Sequence, residues 1–497
     1  MMMMLPRRKA SVLASETLGT KQGSPFIGGG GGGRKNGKYS VFVMLISVFL
    51  FVTFIYNEDV KSIAEFPFSS SRGAGDKLAG VVDELGVFVV DPMISDKEAD
   101  AAKAAAAEAS AEEEQEAEEE ERREEARRVV VDVPASCDLF NGRWVYDDVN
   151  YPLYKEPACE FLTEQVTCMR NGRRDDDYQK WRWQPQDCSL PRFDARVMLE
   201  RLRGKRFMFV GDSLNRNQWE SMVCLVQAVV PPGKKTLTKN GSLNVFRLHD
   251  YNASVEFYWA PFLVESNSDD PNQHSILNRI IMPKSIAKHG KNWKNVDFLI
   301  FNTYIWWLNT LDMKVLRGSF DQGSTEYDEV ERPVAYRRVL DTWANWVKKN
   351  VDPNRTTVFF MSMSPNHIKS EEWDNPGGIK CAMETQPVGN LSHPLDVGTD
   401  WRLFEVAEEV VRRVNKKVPV SMVKITALSE LRKDAHTSVH TLRQGKLLTP
   451  EQQADPATYA DCIHWCLPGV PDVWNEFLYA RVASAPWPPL DRSASNE

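Results

Sequence analysis

The sequence holds no cysteine and no tryptophan in its first 133 residues, little net charge where it folds, and one long apolar run. Each scarcity excludes something. The formal charge is −8, but residues 1–38 carry +6, from seven basic side chains against one acidic. Residues 57–128 carry −12, from 21 acidic against nine basic, which leaves −2 for residues 129–497. A nearly neutral folded part has no basic footprint for nucleic acid, so that partner class is not expected. No C-x-x-C pair is present, and no metal is assigned. No glycine-rich phosphate loop of the Walker or Rossmann kind appears either. With 42% hydrophobic and 10% aromatic residues overall, the chain reads as one large domain of roughly 360 residues behind a tethered N-terminal region.

The single apolar run, YSVFVMLISVFLFVTFIY at 39–56, has 18 uncharged positions. At about 1.5 Å per residue that is enough helix to cross a thin bilayer, which suits an early secretory membrane. Arg7, Arg8, Lys9, Lys21, Arg34, Lys35 and Lys38 precede it. The positive-inside rule then leaves residues 1–38 in the cytosol and everything after Asn57 in the lumen, a single-pass type II signal anchor. A cleaved signal peptide is the alternative; its leader would be unusually long and no small-x-small site follows. Four N-glycosylation sequons, at Asn240, Asn252, Asn354 and Asn390, lie beyond the run. So do all eight cysteines, an even number suited to four disulfides in an oxidising compartment.

The expected organisation is a basic, glycine-rich tail (1–38), the anchor (39–56), an acidic low-complexity stem (57–133), a Cys/Trp-rich N-terminal lobe (134–190) and a catalytic domain (191–497). Within the stem, residues 96–128 are rich in helix formers without an apolar stripe and read as a solvated spacer, helical or disordered. Four cysteines fall between 137 and 188, which points to a small disulfide-stapled lobe. After Pro191, RFMFV (206–210), DFLIFN (297–302), TTVFFMSM (356–363) and VSMVKI (420–425) read as strands apolar on both faces. Helical stretches lie between them, such as Val334–Asn350 and Trp401–Lys417. Buried strands interleaved with helices predict a parallel α/β/α sheet.

Strand RFMFV runs into Gly211-Asp212-Ser213, with a helix following. Ser213 therefore stands at the carboxyl end of a strand, where open α/β sheets place their ligands, and the helix start offers N–H groups to an oxyanion. A serine N-cap without chemistry is the plainer reading. Near the other end Asp461 and His464 stand three residues apart, bracketed by Cys462 and Cys466. A cross-linked loop is a rigid mount for an imidazole acting as general base and acid, with the aspartate fixing its tautomer.

A GDS after a strand and a DxxH near the C-terminus match the first and last blocks of the SGNH, or GDSL, esterase superfamily. The resemblance extends over residues 134–490 to the plant trichome-birefringence-like family of polysaccharide O-acetyltransferases. It is carried by CDLFNGRWV, PLY, GRRDDDYQKWRWQP, VGDSLNRNQWESMVCL and DCIHWCLPGVPDVWNEFL, and the juxtamembrane YNEDVKSIAEFPFS is similar to its xylan-acetylating, ESKIMO-like members. The fold this implies is an SGNH/GDSL-esterase-like α/β/α sandwich with a small disulfide-stapled N-terminal lobe, on a single N-terminal transmembrane anchor.

The resemblance also implies an acetyl transfer onto the 2-O or 3-O of xylan or a xylo-oligosaccharide, with Ser213 acetylated, His464 shuttling the proton and Asp461 orienting it. The lumenal face of the Golgi membrane is the expected site. No bound cofactor is expected; an acetyl donor is required, acetyl-CoA or another, and a membrane partner is a candidate to supply it. Gly211 and Asp212 of the GDS block are candidates at the oxyanion. Arg216 and Asn217 either position donor or oxyanion, or serve as caps and salt-bridge partners. Asn302 occupies a position like the superfamily's oxyanion asparagine, although TYIWW after it departs from the hydrolase GxND pattern. The family pattern pairs Cys137 with Cys188, Cys159 with Cys224, Cys168 with Cys466 and Cys381 with Cys462. Of Trp181, Trp183, Trp306, Trp307, Trp373 and Trp465, two are expected in a glycan groove and the rest in or beside the core. His367, His436 and His440 read as structural. An SGNH-type carbohydrate acetyl-esterase, acetylation of another wall polysaccharide and a silent glycan binder are the competing functions.

Overall fold

The protein is described by a computed structural model over residues 114–484, apart from 116, 135, 274–277, 390–396 and 444. The tail, the apolar run 39–56, most of the stem and the Asn390 sequon lie outside the described residues. Among the described residues no helix is long and apolar enough to cross a membrane.

Seven strands form the central sheet. In chain order, and with the elements that matter to the site, they are β3 (Arg206–Gly211), β4 (Lys235–Asn240), β5 (Leu243–Leu248), β6 (Ala253–Trp259), β7 (Phe298–Phe301), β8 (Thr357–Met361) and β9 (Val420–Val423), after a small lobe hairpin of β1 (Gly142–Tyr146) and β2 (Trp181–Pro185). The spatial order is β9-β8-β7-β3-β6-β5-β4. The first five are mutually parallel and the β4–β5 hairpin extends the edge antiparallel to β6. The four apolar runs identified in the sequence are β3, β7, β8 and β9, within a residue or two at each end.

Register explains the layers. Phe209, Phe257, Ile300 and Phe359 stand side by side on one face, and Val210, Tyr258, Phe301 and Phe360 on the other, because side chains alternate along a strand. Trp219 of α2 (Ser213–Gln227) packs on Phe257, with α1 (Ala195–Leu202) and α5 (Val470–Ala483) beside it. Trp343 of α3 (Arg332–Asn350) packs on Phe301 and Phe360 across the sheet, next to α4 (Trp401–Asn415). The result is an α/β/α sandwich with β3 in the middle of the sheet, which puts Gly211 and Ser213 at its centre.

Two more strands stand apart from that sheet. β10 (His436–Ser438) and β11 (Asp461–Trp465) form an antiparallel pair with a bulge. Four disulfides join Cys137 to Cys188, Cys159 to Cys224, Cys168 to Cys466 and Cys381 to Cys462. Cys159–Cys224 staples the N-terminal lobe to α2, and Cys168–Cys466 ties it to the end of β11.

The end of the stem departs from the expected solvated spacer. Residues 117–128 are helical and held against the domain. Arg127 bonds Glu200 at 3.0 Å, Arg196 bonds Glu119 at 2.9 Å and Arg123 reaches Asp250 at 3.3 Å. Ala126 is buried. Glu119, Arg123 and Arg127 are partners of a second surface, while Glu118, Arg122, Glu124 and Arg128 stay exposed.

Candidate active site

Ser213 is the first residue of α2, directly after the carboxyl end of β3. Asp212 is the N-cap: its Oδ1 accepts from the N–H of Leu214 at 3.0 Å. Its Oδ2 accepts from the N–H groups of Tyr304 and Ile305 at 3.2 and 3.3 Å. Both oxygens are thus committed to tying the Ser213 turn to the segment after β7. Burial raises the Asp212 carboxyl above its ordinary value, against the pull of those N–H donors. Gly211 is required by space: a Cβ there would lie 2.6 Å from the main-chain oxygen of Asn302.

β11 brings the other two residues. His464 Nε2 lies 2.8 Å from Ser213 Oγ, and His464 Nδ1 lies 2.7 Å from Asp461 Oδ2. Asp461 Oδ1 accepts from the N–H groups of Ile463 and His464 at 2.9 and 3.0 Å. The aspartate's orientation is therefore fixed by its own strand. Burial pushes its carboxyl up, but the His464 ring and these N–H donors outweigh burial and hold it well below the usual carboxylate range. Asp461 is thus an anion at neutral pH, bonded to the imidazole nitrogen that faces away from Ser213. Side-chain exposures of 15% for His464 and 20% for Asp461 leave the relay open to a reactant.

The flanking candidates divide. Asn217, buried on α2, donates from Nδ2 to the oxygen of Trp465 at 3.2 Å and accepts at Oδ1 from the Trp465 N–H at 2.8 Å. Its amide is spent on holding β11 beside α2, not on a ligand. Arg216 donates to Gln165 of the N-terminal lobe at 2.6 Å and faces Glu220 at 3.7 Å, so it serves as a bridge between lobe and helix. Asn302, just beyond β7, is buried, and its Oδ1 has no hydrogen-bond partner among the described residues.

Of the six tryptophans among which two were expected in a glycan groove, Trp183, Trp306, Trp307, Trp373 and Trp465 are buried. Trp181 is half-buried and packs edge-on to Tyr146. Trp465 anchors β11 from inside, donating to Ser364 Oγ at 2.9 Å. Asn240, Asn252 and Asn354 are exposed.

The sequence reading missed the buried layer behind β11, formed by His367, His436 and Trp465. Each of the three residues stands out in the sequence by type, but they lie up to 98 residues apart and no local spacing joins them; His436 and His440 do stand in a His-x-x-x-His spacing. That spacing marks no metal centre: among the described residues no group of three or more His, Cys, Asp or Glu is arranged to hold an ion. A cavity of roughly 470 Å³ also flanks this layer, lined among others by Arg174, Asp175, Met383, Ser438 and His440. It touches β11 through Cys381, whose Sγ lies 3.9 Å from the Asp461 carbonyl.

Comparison with known proteins places this geometry. Residues 190–481 match the family described as "GDSL/SGNH-like Acyl-Esterase family found in Pmr5 and Cas1p". Residues 135–189 match "PMR5 N terminal Domain". The protein named xylan O-acetyltransferase 6 of Oryza sativa subsp. japonica is 59% identical over 97% of this chain and 99% of its own length. Xylan O-acetyltransferase 2 of the same plant is 65% identical over 72% of this chain and 71% of its own. Protein trichome birefringence-like 3 of Arabidopsis thaliana is 46% identical over 70% and 80%. With both parts of the folded chain matched, and with relatives of this identity along their length, the chain belongs to the trichome-birefringence-like branch of the GDSL/SGNH-like acyl-esterase family found in Pmr5 and Cas1p.

Proposed function

We propose that the protein is a xylan O-acetyltransferase acting through an acetyl-Ser213 intermediate. The observation that carries this reading is the Ser213–His464–Asp461 relay at 2.8 and 2.7 Å. The names of the rice relatives supply the acceptor, xylan, and the group transferred, acetyl.

In the first half-reaction Ser213 Oγ attacks the acetyl carbon of the donor while His464 Nε2 takes the hydroxyl proton. The donor's leaving group departs with that proton, and acetyl stays on Ser213 as an ester. In the second, a xylosyl 2-O or 3-O hydroxyl gives its proton to His464 and attacks the ester, and Ser213 leaves and is reprotonated. Asp461 holds the imidazole tautomer and stabilises the imidazolium in both. The developing oxyanion is bonded by the Ser213 N–H at the start of α2 and by the side-chain amide of Asn302. The unpartnered Asn302 Oδ1 supports this, since no bond through that oxygen holds the amide away from a reactant at Ser213.

We further assign the chain to the Golgi membrane, anchored as a type II protein through residues 39–56 with a lumenal catalytic domain. A membrane partner supplies acetyl, directly or through acetyl-CoA or another donor. Three exposed sequons and four disulfides support an oxidising, glycosylating compartment.

The test uses the full-length glycosylated chain, wild type against Ser213→Ala, with unacetylated xylo-oligosaccharides and an acetyl donor, read by mass spectrometry. Acetylated oligosaccharide from wild type alone is the expected result. Free acetate without sugar product would replace transfer by hydrolysis.

A further inference from the structure

Two histidines that the triad does not use lie directly behind its strand. His367, in the segment after β8, and His436, in β10, are both fully buried. Their rings meet with His367 Nδ1 2.6 Å from His436 Nε2. Each outer nitrogen faces a main-chain carbonyl: His367 Nε2 that of Glu430 at 2.9 Å, and His436 Nδ1 that of the catalytic His464 at 3.1 Å. Two more contacts fasten the same strand. The His367 N–H donates to the Cys462 carbonyl at 3.0 Å, and the His436 ring stacks on Trp465 at 3.9 Å between centroids.

Counting hydrogens shows what such a pair can do. A carbonyl only accepts, so each outer nitrogen needs a hydrogen to make its bond, and the inner contact needs a third. Two neutral imidazoles carry only two. Burial keeps the pair neutral, holding His367 down to about 4 and His436 well below its ordinary value. Around them, Asp434, Glu384 and Asp461 favour a proton, while Lys433 and a protonated His464 oppose it. Asp434 is neutralised by Arg432 at 2.8 Å, and Glu384 pairs with Lys433. Arg173 adds positive charge on the far side, donating to the His436 carbonyl at 3.1 Å.

A neutral pair therefore has two good arrangements. In one, His367 Nδ1–H donates inward and His436 Nδ1–H holds the His464 carbonyl. In the other, His436 Nε2–H donates inward, the Glu430 carbonyl is held, and the His464 carbonyl faces a lone pair. We propose that the His367–His436 pair is a positioning device for the catalytic histidine: the arrangement with His436 Nδ1–H on the His464 carbonyl sets the imidazole against Ser213. This rests on His464 being the general base of the reaction above.

The experiment uses amides that mimic one ring nitrogen each, in the full-length chain. His436→Asn keeps a donor at the Nδ1 position, toward His464; His436→Gln keeps one at the Nε2 position, toward His367. The readouts are kcat and KM for acetyl transfer to xylo-oligosaccharide, and the rate and final extent of Ser213 labelling by a fluorophosphonate ester. The extent of labelling counts folded, competent enzyme. His436→Gln is expected to lose about ten- to a hundredfold in kcat and in labelling rate per competent enzyme, with KM unchanged, and His436→Asn to recover most of that loss. Equal losses in both variants, or wild-type rates per competent enzyme in His436→Gln, would overturn the proposal. Brisk labelling of wild type without sugar acetylation would instead remove the transferase reading, with the labelling rates still deciding the positioning role.

Discussion

The two halves of the relay are held in place by different physics. Ser213 follows the middle strand of a seven-stranded sheet, with Asp212 between, and begins a 15-residue helix, so its position follows from backbone ladders and apolar packing on both faces. His464 and Asp461 sit on a five-residue strand outside that sheet, paired among the described residues with a bulged three-residue neighbour. What fixes them is cross-linking: Cys168–Cys466 and Cys381–Cys462, the Asn217 amide on Trp465, and the buried histidine layer. On the proposed roles, a nucleophile embedded in a core should withstand local damage, whereas a base on a stapled strand should fail when a staple is cut.

Removing either half outright has the largest effect. Ser213→Ala and His464→Ala should each lower acetyl transfer by about 10⁴-fold or more, and Asp461→Asn by about 10²- to 10⁴-fold, in steady-state assays. Loss of activity below tenfold in any of them would break the relay.

Cutting a staple comes next and separates the halves. Cys381→Ser with Cys462→Ser should cost about 2–5 kcal/mol of stability. In the protein that remains folded, the His464-dependent rate of Ser213 labelling should drop while the sheet's circular dichroism persists. Equal loss of both signals would mean that the two regions are one cooperative unit.

Asn217→Ala probes the same mount without cross-links. It leaves the Trp465 N–H and carbonyl unpaired in a buried site, at about 1–3 kcal/mol for each group. Its activity loss should follow the position of β11 and appear in kcat more than in KM.

A pH titration contrasts β11 with the helix that follows it. On α5, burial pushes Asp472 up to about 6 and Glu476 up to about 8, although Ser221, Tyr154 and Tyr151 donate to them. Glu476, at 4.5 when unfolded, therefore contributes stability that is complete below pH 4.5 and lost as pH rises toward 8. Asp461, held low, contributes stability present above its unfolded value of 3.8 and lost on acidification. Glu476→Gln should flatten the alkaline fall in Tm and leave the acid limb as it is. An unchanged alkaline limb would show that Glu476 is ionised in the folded protein.

The smallest expected effect lies at the docked end of the stem. Deleting residues 114–128 removes the ion pairs to Glu200, Arg196 and Asp250, and should lower Tm by about 2–4 °C, with wild-type kcat in the folded enzyme.

How much of this was legible in the sequence follows the same division. The strand before Ser213 shows itself as an unbroken apolar run, and both GDS and DxxH stand in plain view. β6 was hidden because Glu256 interrupts ASVEFYW; across the ladder Arg206 neutralises that carboxylate at 2.7 Å, a pairing over 50 residues that no local pattern reveals. The docked helix 117–128 was hidden for the same reason, since its partners lie from 73 to 127 residues away. Asn217 reads as a candidate ligand residue because proximity to Ser213 in sequence is visible, while its two bonds to Trp465 span 248 residues. Of the six tryptophans two were expected in a glycan groove and the rest in or beside the core; five are buried and Trp181 is half-buried.

The most direct test is to trap the intermediate. Full-length protein is mixed with an acetyl donor and no acceptor, quenched, and the peptide bearing Ser213 is weighed, then the same sample is chased with xylo-oligosaccharide. Acetyl on Ser213 that disappears as acetylated oligosaccharide appears is the predicted result. Sugar acetylation by a Ser213→Ala chain, or acetyl on Ser213 that passes only to water, would contradict it.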